Sequence, residues 1–323
     1  MRFVVYGAGA IGGLIGGRLF EAGHDVVLVA RGAHGAAIAG HGLRLEDPDR
    51  SVTLPISVVG HPRDLAFGGD DLVILATKTQ DTAPAVAALS DVAPATIGVV
   101  CAQNGVENER LVSERFSDTI AMCVMCPATH LEPGVVQASS APVSGILDVG
   151  RYPSGVDGAV KELAAALRGS TFASEARPDI MRWKYNKLLM NLLNAVEATC
   201  GFGPGTSEIV EMIRSEGVAA LDAAGIDHAS DEEDRERRGG LVTLRPVGGE
   251  RRGGGSSWQS LRRGTGSVEA EFLNGEIVRL GRSHGVQTPA NEVIIGVVED
   301  LASNGGQPGS IEPAAVLDLI GSA

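Results

Sequence analysis

Apolar residues follow two rhythms along this chain. In the first half, short apolar runs rich in β-branched residues alternate with amphipathic or glycine-rich stretches. Arg2 to Tyr6, Asp25 to Val29, Asp71 to Ala76 and Thr96 to Cys101 have the length and composition of buried strands. Between them the pattern predicts helices over about Ala10 to Glu21, Gly32 to Gly42, Asp81 to Leu89 and Glu107 to Arg115. Leu43 to Glu46 and Val52 to Val59 read as short strands around a turn at Asp47-Pro48-Asp49. Alternating strands and helices predict an α/β domain with a doubly wound parallel sheet. Shorter β-like runs follow from Thr119 to about Glu175, with one helix near Val156 to Leu167 and a closing strand near Thr171. Pro178 marks a boundary, giving domains 1–177 and 178–323. The second domain reads as all-helical: a long helix at about Asp179 to Cys200, then Glu208 to Ala224, Ser267 to His284 and Asn291 to Ser303. The charge run Asp231 to Arg238 reads as a solvated helix end, and the glycine- and arginine-rich stretch Gly239 to Gly255 as a mobile loop that could act as a lid.

The first strand runs into Gly7-Ala8-Gly9-Ala10-Ile11-Gly12, a G-x-G-x-x-G at a strand-to-helix turn. The first glycine permits the turn, the second lets the backbone approach a pyrophosphate, and the third lets helix and strand pack closely. The helix N-terminus then presents N–H groups and a favourable dipole to that anion. This predicts a Rossmann domain that binds a dinucleotide. An NAD site places Asp or Glu at the end of the second strand; here the strand ends Val29-Ala30-Arg31, with no carboxylate to repel a 2′-phosphate and a guanidinium able to hold one. The expected cofactor is therefore NADP, although Arg31 also fits an ordinary exposed arginine. Lys78 and Asn104 likewise fall at strand carboxyl ends, where ligands of such sheets bind.

A chain of 323 residues suits two domains, and 44% hydrophobic residues fit a globular protein. No apolar run is long enough to span a membrane and no basic-then-apolar leader opens the chain, so the expected location is the cytoplasm with nothing cleaved. A net charge of −13 argues against a nucleic-acid or anionic-membrane partner. Cys101, Cys123, Cys126 and Cys200 form no disulfide framework, and Cys123-x-x-Cys126 sits in an apolar run without a second ligand pair, so buried thiols are expected and no metal.

In the long helix, Lys187, Asn191 and Asn194 fall at i, i+4 and i+7 on one stripe, with leucines around them. A lysine in an apolar cleft has its pKa lowered and can donate a proton near neutral pH. The same spacing also describes a solvent-facing stripe of an amphipathic helix. Glu269 could be a first-turn carboxylate, Asn104 a turn residue, and Ser256 and Ser257 loop composition.

Taken together, GAGAIGG at Gly7, Arg31, Lys78, Gln103-Asn104-Gly105, Lys187-Leu-Leu-Met-Asn191, and Glu269 with Leu273-Asn274-Gly275, His284-Gly285-Val286 and Thr288-Pro289 resemble the ketopantoate reductase (2-dehydropantoate 2-reductase) family over nearly the whole length. The resemblance implies a Rossmann domain followed by a helical substrate and dimerisation domain, with the active site in the cleft between. It implies a cytoplasmic homodimer in pantothenate biosynthesis that transfers hydride from NADPH to a small 2-oxo acid. The position matching Lys187 is the family's general acid. Asn104 and Asn191 match positions that hydrogen-bond substrate or cofactor, and Glu269 matches a carboxylate that binds the substrate hydroxyl. One upstream serine matches a contact to the substrate carboxylate; counting back from Glu269 gives Ser257, anchoring on Gln259 gives Ser256.

Two stretches depart from the family pattern. A second asparagine, followed by proline, often stands eight residues after the lysine; here Ala195 and Val196 occupy those places and Asn194 is one place early, about 100° around the helix. The usual Ser-Met-x-Gln-Asp is Ser256-Ser-Trp-Gln-Ser260, with a bulky Trp258 and no aspartate. Both lie in the substrate half. They keep open a different 2-oxo acid or an imine as substrate, and a non-catalytic NADP(H)-binding regulator. A 3-hydroxyacid dehydrogenase of the 6-phosphogluconate type also pairs a lysine with an asparagine four residues on, but usually has glycine where this chain has Trp183.

Overall fold

The computed structural model describes residues 1–264 and 266–323, Pro204 through its backbone alone. The chain forms two compact units. The sheet unit comprises Met1–Lys184 and Ser230–Arg252, the helical unit Tyr185–Ala229 and Gly253–Ala323.

The sheet unit contains β1 Arg2–Tyr6, β2 Asp25–Val29, β3 Leu43–Glu46, β4 Ser51–Leu54, β5 Ser57–Val59, β6 Asp71–Leu75, β7 Gly98–Cys101, β8 Asp118–Met125, β9 Ala128–Thr129, β10 Val135–Ala138, β11 Gly145–Arg151 and β12 Phe172–Ala173. Its helices are α1 Ala10–Glu21, α2 Gly32–His41, α3 Thr82–Ser90, α4 Glu107–Ser113, α5 Gly158–Gly169 and the start of α6 Ile180–Asn191. The main sheet has the order β12-β11-β8-β7-β6-β1-β2-β5, parallel throughout except for β11 against β8. A smaller sheet, β4-β3-β10-β9, packs on α1. Alternation along β1 divides the core: Phe3 and Val5 face one apolar cluster, Val4 the other. Order reverses at β1, which pairs with β2 on one side and β6 on the other. Tyr6 is level with Val29 and Leu75, and Leu75 with Cys101. Four strands thus end in register, and the loops after them open along one edge. Those loops carry Gly7 to Gly12, Arg31, Lys78 and Asn104.

Buried and half-buried arginine–carboxylate pairs tie this unit together. Arg2 donates to both oxygens of Asp71 at 2.7 and 2.6 Å, and Arg18 donates to Asp47 at 2.6 Å. Burial raises both carboxyls, but the arginine and backbone N–H bonds outweigh it and hold each below its usual range. Arg182 bonds pull Glu233 down to about 2, with the Ser230 N–H adding to them. Groups depressed in this way add stability above their unfolded values, and lose it as pH falls through the folded ones. The melting temperature is therefore expected to fall progressively below about pH 4.5, and less steeply in Asp71→Asn. Equal slopes in the two proteins would show that Asp71 carries none of the acid sensitivity.

The helical unit contains the rest of α6, then α7 Leu193–Cys200, α8 Ser207–Ala223, α10 Ser256–Arg262, α11 Ala270–His284, α12 Pro289–Ser303 and α13 Pro313–Gly321; α9 Asp231–Arg238 belongs to the sheet unit. The single helix expected over 179–200 is interrupted at Leu192, which keeps φ −54° and ψ −30° and donates to the Leu188 carbonyl, while its own carbonyl accepts from Asn274 Nδ2 at 3.2 Å. Asn274 also donates to Asn291 Oδ1, and Glu216 accepts from the Ala290 and Asn291 amides that start α12. The charge run read as a solvated helix end is α9, opened by a Ser230 capping box and anchored by Arg237, which donates to both oxygens of the buried Asp148. The stretch read as a mobile loop is also pinned: Leu244 bridges Ser140, Arg245 pairs with Asp49, and Gly253 to Gly255 pack within the helical unit. Helices α10 and α13 lie outside the expected set.

Candidate active site

The glycine loop separates glycines that the protein needs from one that it leaves open. Gly7 has φ +100°, and a Cβ there would lie 2.8 Å from the Thr77 amide nitrogen. A Cβ on Gly12 would lie 2.0 Å from the Gly7 carbonyl oxygen and 3.0 Å from Val5 Cγ1. At Gly9 a Cβ would meet nothing within 4 Å. Gly9 is the N-cap of α1 and makes no side-chain cap bond; no acidic residue occupies the first turn, where Ala10 and Ile11 are half-buried. The space before Gly9 at the start of α1 is open, which fits a dinucleotide pyrophosphate at a helix N-terminus. Ala8 is held from behind: its carbonyl meets His34 Nε2 at 2.7 Å, while the Gly134 amide donates to His34 Nδ1 at 2.9 Å. The second bond makes Nδ1 the acceptor and Nε2–H the donor.

Arg31 is the exposed N-cap residue of α2, whose first turn holds no acidic residue. Its charge reaches Tyr6 at the end of β1, where burial pushes the phenol up against the arginine's pull. Lys78 is half-buried at the end of the β6 loop. Asn104 is half-buried, and its carbonyl accepts from Asn108 Nδ2 at 3.0 Å. Gln103 beside it donates to Thr82 Oγ1 at 2.7 Å. Beneath this turn lies a buried ion pair. Lys184 Nζ is 2.5 Å from Glu109 Oε1 and donates to the carbonyls of Gln103 at 3.0 Å and Met122 at 3.3 Å.

The helical unit collects the other candidates. Lys187 Nζ donates to Asn191 Oδ1 at 2.7 Å. Lys187 is half-buried and Asn191 is 3% exposed, so the stripe is not a solvent-facing one. Asn191 Nδ2 is buried without a hydrogen-bond partner among the described residues, a donor left open beside the ammonium group. Asn194 Nδ2 donates to Ser256 Oγ at 3.3 Å. Ser256 is half-buried and opens α10, whereas Ser257 is 2% exposed. Glu269 is the N-cap residue of α11 and is buried. Arg263 feels the charge of Glu269, which raises its pKa, but burial dominates and lowers it.

The sheet unit thus gathers Gly7 to Gly12, Arg31, Lys78 and Asn104 along one edge, and the helical unit joins Lys187 to Asn191 and Asn194 to Ser256. Sequence reasoning missed His34, the Lys184–Glu109 pair and Glu197. Only the rarity of lysine, confined to Lys78, Lys161, Lys184 and Lys187, could have flagged one of them.

Residues 3–154 match the family model described as ketopantoate reductase PanE/ApbA, and residues 179–302 match that of its C-terminal region. The chain is 29% identical over 315 residues to a 2-dehydropantoate 2-reductase of Pyrococcus horikoshii, covering 95% of this chain and 99% of the relative. It is 29% identical over 319 residues to one of Halobacterium salinarum, covering 95% and 100%. A solved PanE/ApbA family ketopantoate reductase from Ralstonia eutropha superposes with a TM-score of 0.79 at 27% identity, over 94% of this chain and 99% of that one. D-mandelate dehydrogenase, solved with NADH and anilino(oxo)acetate, superposes with a TM-score of 0.81 at 22% identity over 94% and 99%, a likeness of fold.

Proposed function

Because the chain belongs to the ketopantoate reductase family of oxidoreductases, we propose that it is an NADPH-dependent reductase of a small 2-oxo acid, 2-dehydropantoate first among the substrates, with Lys187 as general acid. The observation that carries this reading is the Lys187–Asn191 pair, a 2.7 Å contact beside a buried amide donor that has no partner among the described residues.

A bound reduced nicotinamide supplies the hydride to the 2-oxo carbon. The residues of this chain handle charge and position. The Lys187 ammonium group polarises the carbonyl oxygen and gives it a proton as negative charge develops. Asn191 Oδ1 holds Nζ, and its open Nδ2 donates to the substrate. Ser256 or Ser257 donates to the substrate carboxylate, with Asn194 beside Ser256. Glu269 accepts from the substrate hydroxyl, and Asn104 bonds substrate or cofactor. The glycine loop takes the pyrophosphate, while Arg31 and Lys78 take the anionic adenosine half. Ala195 and Trp258 favour a second reading, a 2-oxo acid of different size on the same machinery.

Initial rates with 2-dehydropantoate and a panel of other 2-oxo acids, each with NADPH and with NADH, test the proposal in wild type and Arg31→Ala. The expected result is a preference for NADPH, with the NADPH KM raised roughly tenfold or more in Arg31→Ala and NADH little changed. Equal use of both coenzymes, unaffected by the substitution, would reject the 2′-phosphate role. Tight NADPH binding with no 2-oxo acid reduced would favour a regulator.

A further inference from the structure

Two residues the reading above leaves without a role, Glu197 and the indole of Trp258, meet at one run of three glycines, Gly253 to Gly255. Gly255 is the N-cap of α10, and its amide donates to both carboxylate oxygens of Glu197, at 3.1 and 3.0 Å. In a capping box the N-cap amide is bonded by an acidic side chain at the third helical position. That position here is Trp258, which has no acceptor. Its ring lies against Gly253 and Gly254, where a Cβ would come within 2.3 and 2.5 Å of it. Glu197, 7% exposed and reaching from α7, bonds the amide instead. The fit is close: a Cβ on Gly254 would lie 2.7 Å from Glu197 Oε1, and one on Gly255 2.8 Å from Oε2. Asn194 stands one turn before Glu197 on the same face of α7 and donates to Ser256 Oγ. The carboxylate therefore holds the first peptide of α10, and Ser256 follows it directly.

We propose that Glu197 is a positioning residue for substrate binding, seating Gly255 so that Ser256 is held against Asn194 for the 2-oxo acid. This rests on the reading that the serine end of α10 contacts the substrate. Glu197 acts through the Gly255 amide and contributes no group to the reacting atoms. Trp258 and the three glycines belong to the same device, because the indole occupies the position from which a local carboxylate would cap the helix.

The test compares full-length wild type, Glu197→Met, which keeps volume without an acceptor, and Glu197→Gln, whose amide oxygen still accepts from Gly255. Hydrogen–deuterium exchange over residues 253–260 reads the seating, and steady-state kinetics read its consequence. In Glu197→Met, exchange there and the KM for the 2-oxo acid are expected to rise about tenfold, with kcat and the NADPH KM within about threefold of wild type. Glu197→Gln is expected to stay near wild type in both readouts. Unchanged exchange and KM in Glu197→Met overturn the proposal, as does equal damage in Glu197→Gln, which would mean that the charge itself is needed. If Glu197→Met does not fold, Gly255→Ala presses a Cβ onto the carboxylate and must produce the same changes; wild-type behaviour there overturns the proposal. Faster exchange in Glu197→Met, in a protein whose wild type reduces no 2-oxo acid, would uphold the seating and overturn its bearing on substrate.

Discussion

Replacing Lys187 with alanine is expected to lower kcat for 2-oxo acid reduction by roughly 10²- to 10⁴-fold while leaving the NADPH Kd within about twofold. The size follows from the step removed. Hydride addition leaves charge on the substrate oxygen, and without a positioned proton donor that charge must be met by water. Lys187 is the lysine whose ammonium is held by a side chain with a donor to spare, Asn191. Lys184 is committed to Glu109 and two backbone carbonyls in the sheet unit. Lys187→Arg should rescue little, because guanidinium keeps its proton at any working pH. Stopped-flow single turnovers separate the chemical step from binding. More than about a tenth of wild-type turnover in Lys187→Ala would remove Lys187 from the role of acid.

Removing Lys184 should destabilise the sheet unit by about 3–5 kcal/mol, because it strands a buried carboxylate. Lys184 and Glu109 side chains are 2% and 0% exposed. Burial already pushes the Glu109 carboxyl up against the pull of Lys184, so without the ammonium group only a backbone hydrogen bond opposes that rise. A carboxyl raised in the folded state holds its proton more tightly there than in the unfolded chain. The deficit of Lys184→Met should therefore grow as pH rises above the ordinary value of 4.5 and shrink as pH falls toward it. Pairing it with Glu109→Leu should recover much of the loss, since an apolar pair has no charge to desolvate. Urea unfolding of the single and double variants at two pH values checks this. A double variant no more stable than Lys184→Met would show that the cost comes from the lost bonds to Gln103 and Met122, not from the stranded charge.

Most of the sheet unit was legible because its signals are local. The predicted strand and helix limits at Arg2–Tyr6, Ala10–Glu21 and Asp25–Val29 are those observed, since glycine freedom, β-branching and apolar period act within a few residues. The candidates on the long helix were legible for the same reason: four residues make about one turn, which brings Lys187 to Asn191. The break at Leu192 was hidden, because Asn274, which takes its carbonyl, lies 82 residues away along the chain. The run Asp231–Arg238 keeps an exposed face, as expected, but its anchor was hidden, because Asp148 lies 89 residues from Arg237.

By itself the sequence determined a dinucleotide turn, an arginine where a ribose-binding carboxylate would stand, and a lysine–asparagine pair on one helical face. Each is a relation between near neighbours, set by backbone geometry and residue chemistry alone. Only the tertiary structure decided that Glu197 caps a helix beginning near Gly255, 58 residues on, and that Lys184 braces the Gln103 carbonyl, 81 residues back. Those bonds form because burial leaves a carboxylate, an ammonium group or an amide without water. Which partner satisfies it depends on which distant segments pack together, and no local period in the chain encodes that choice.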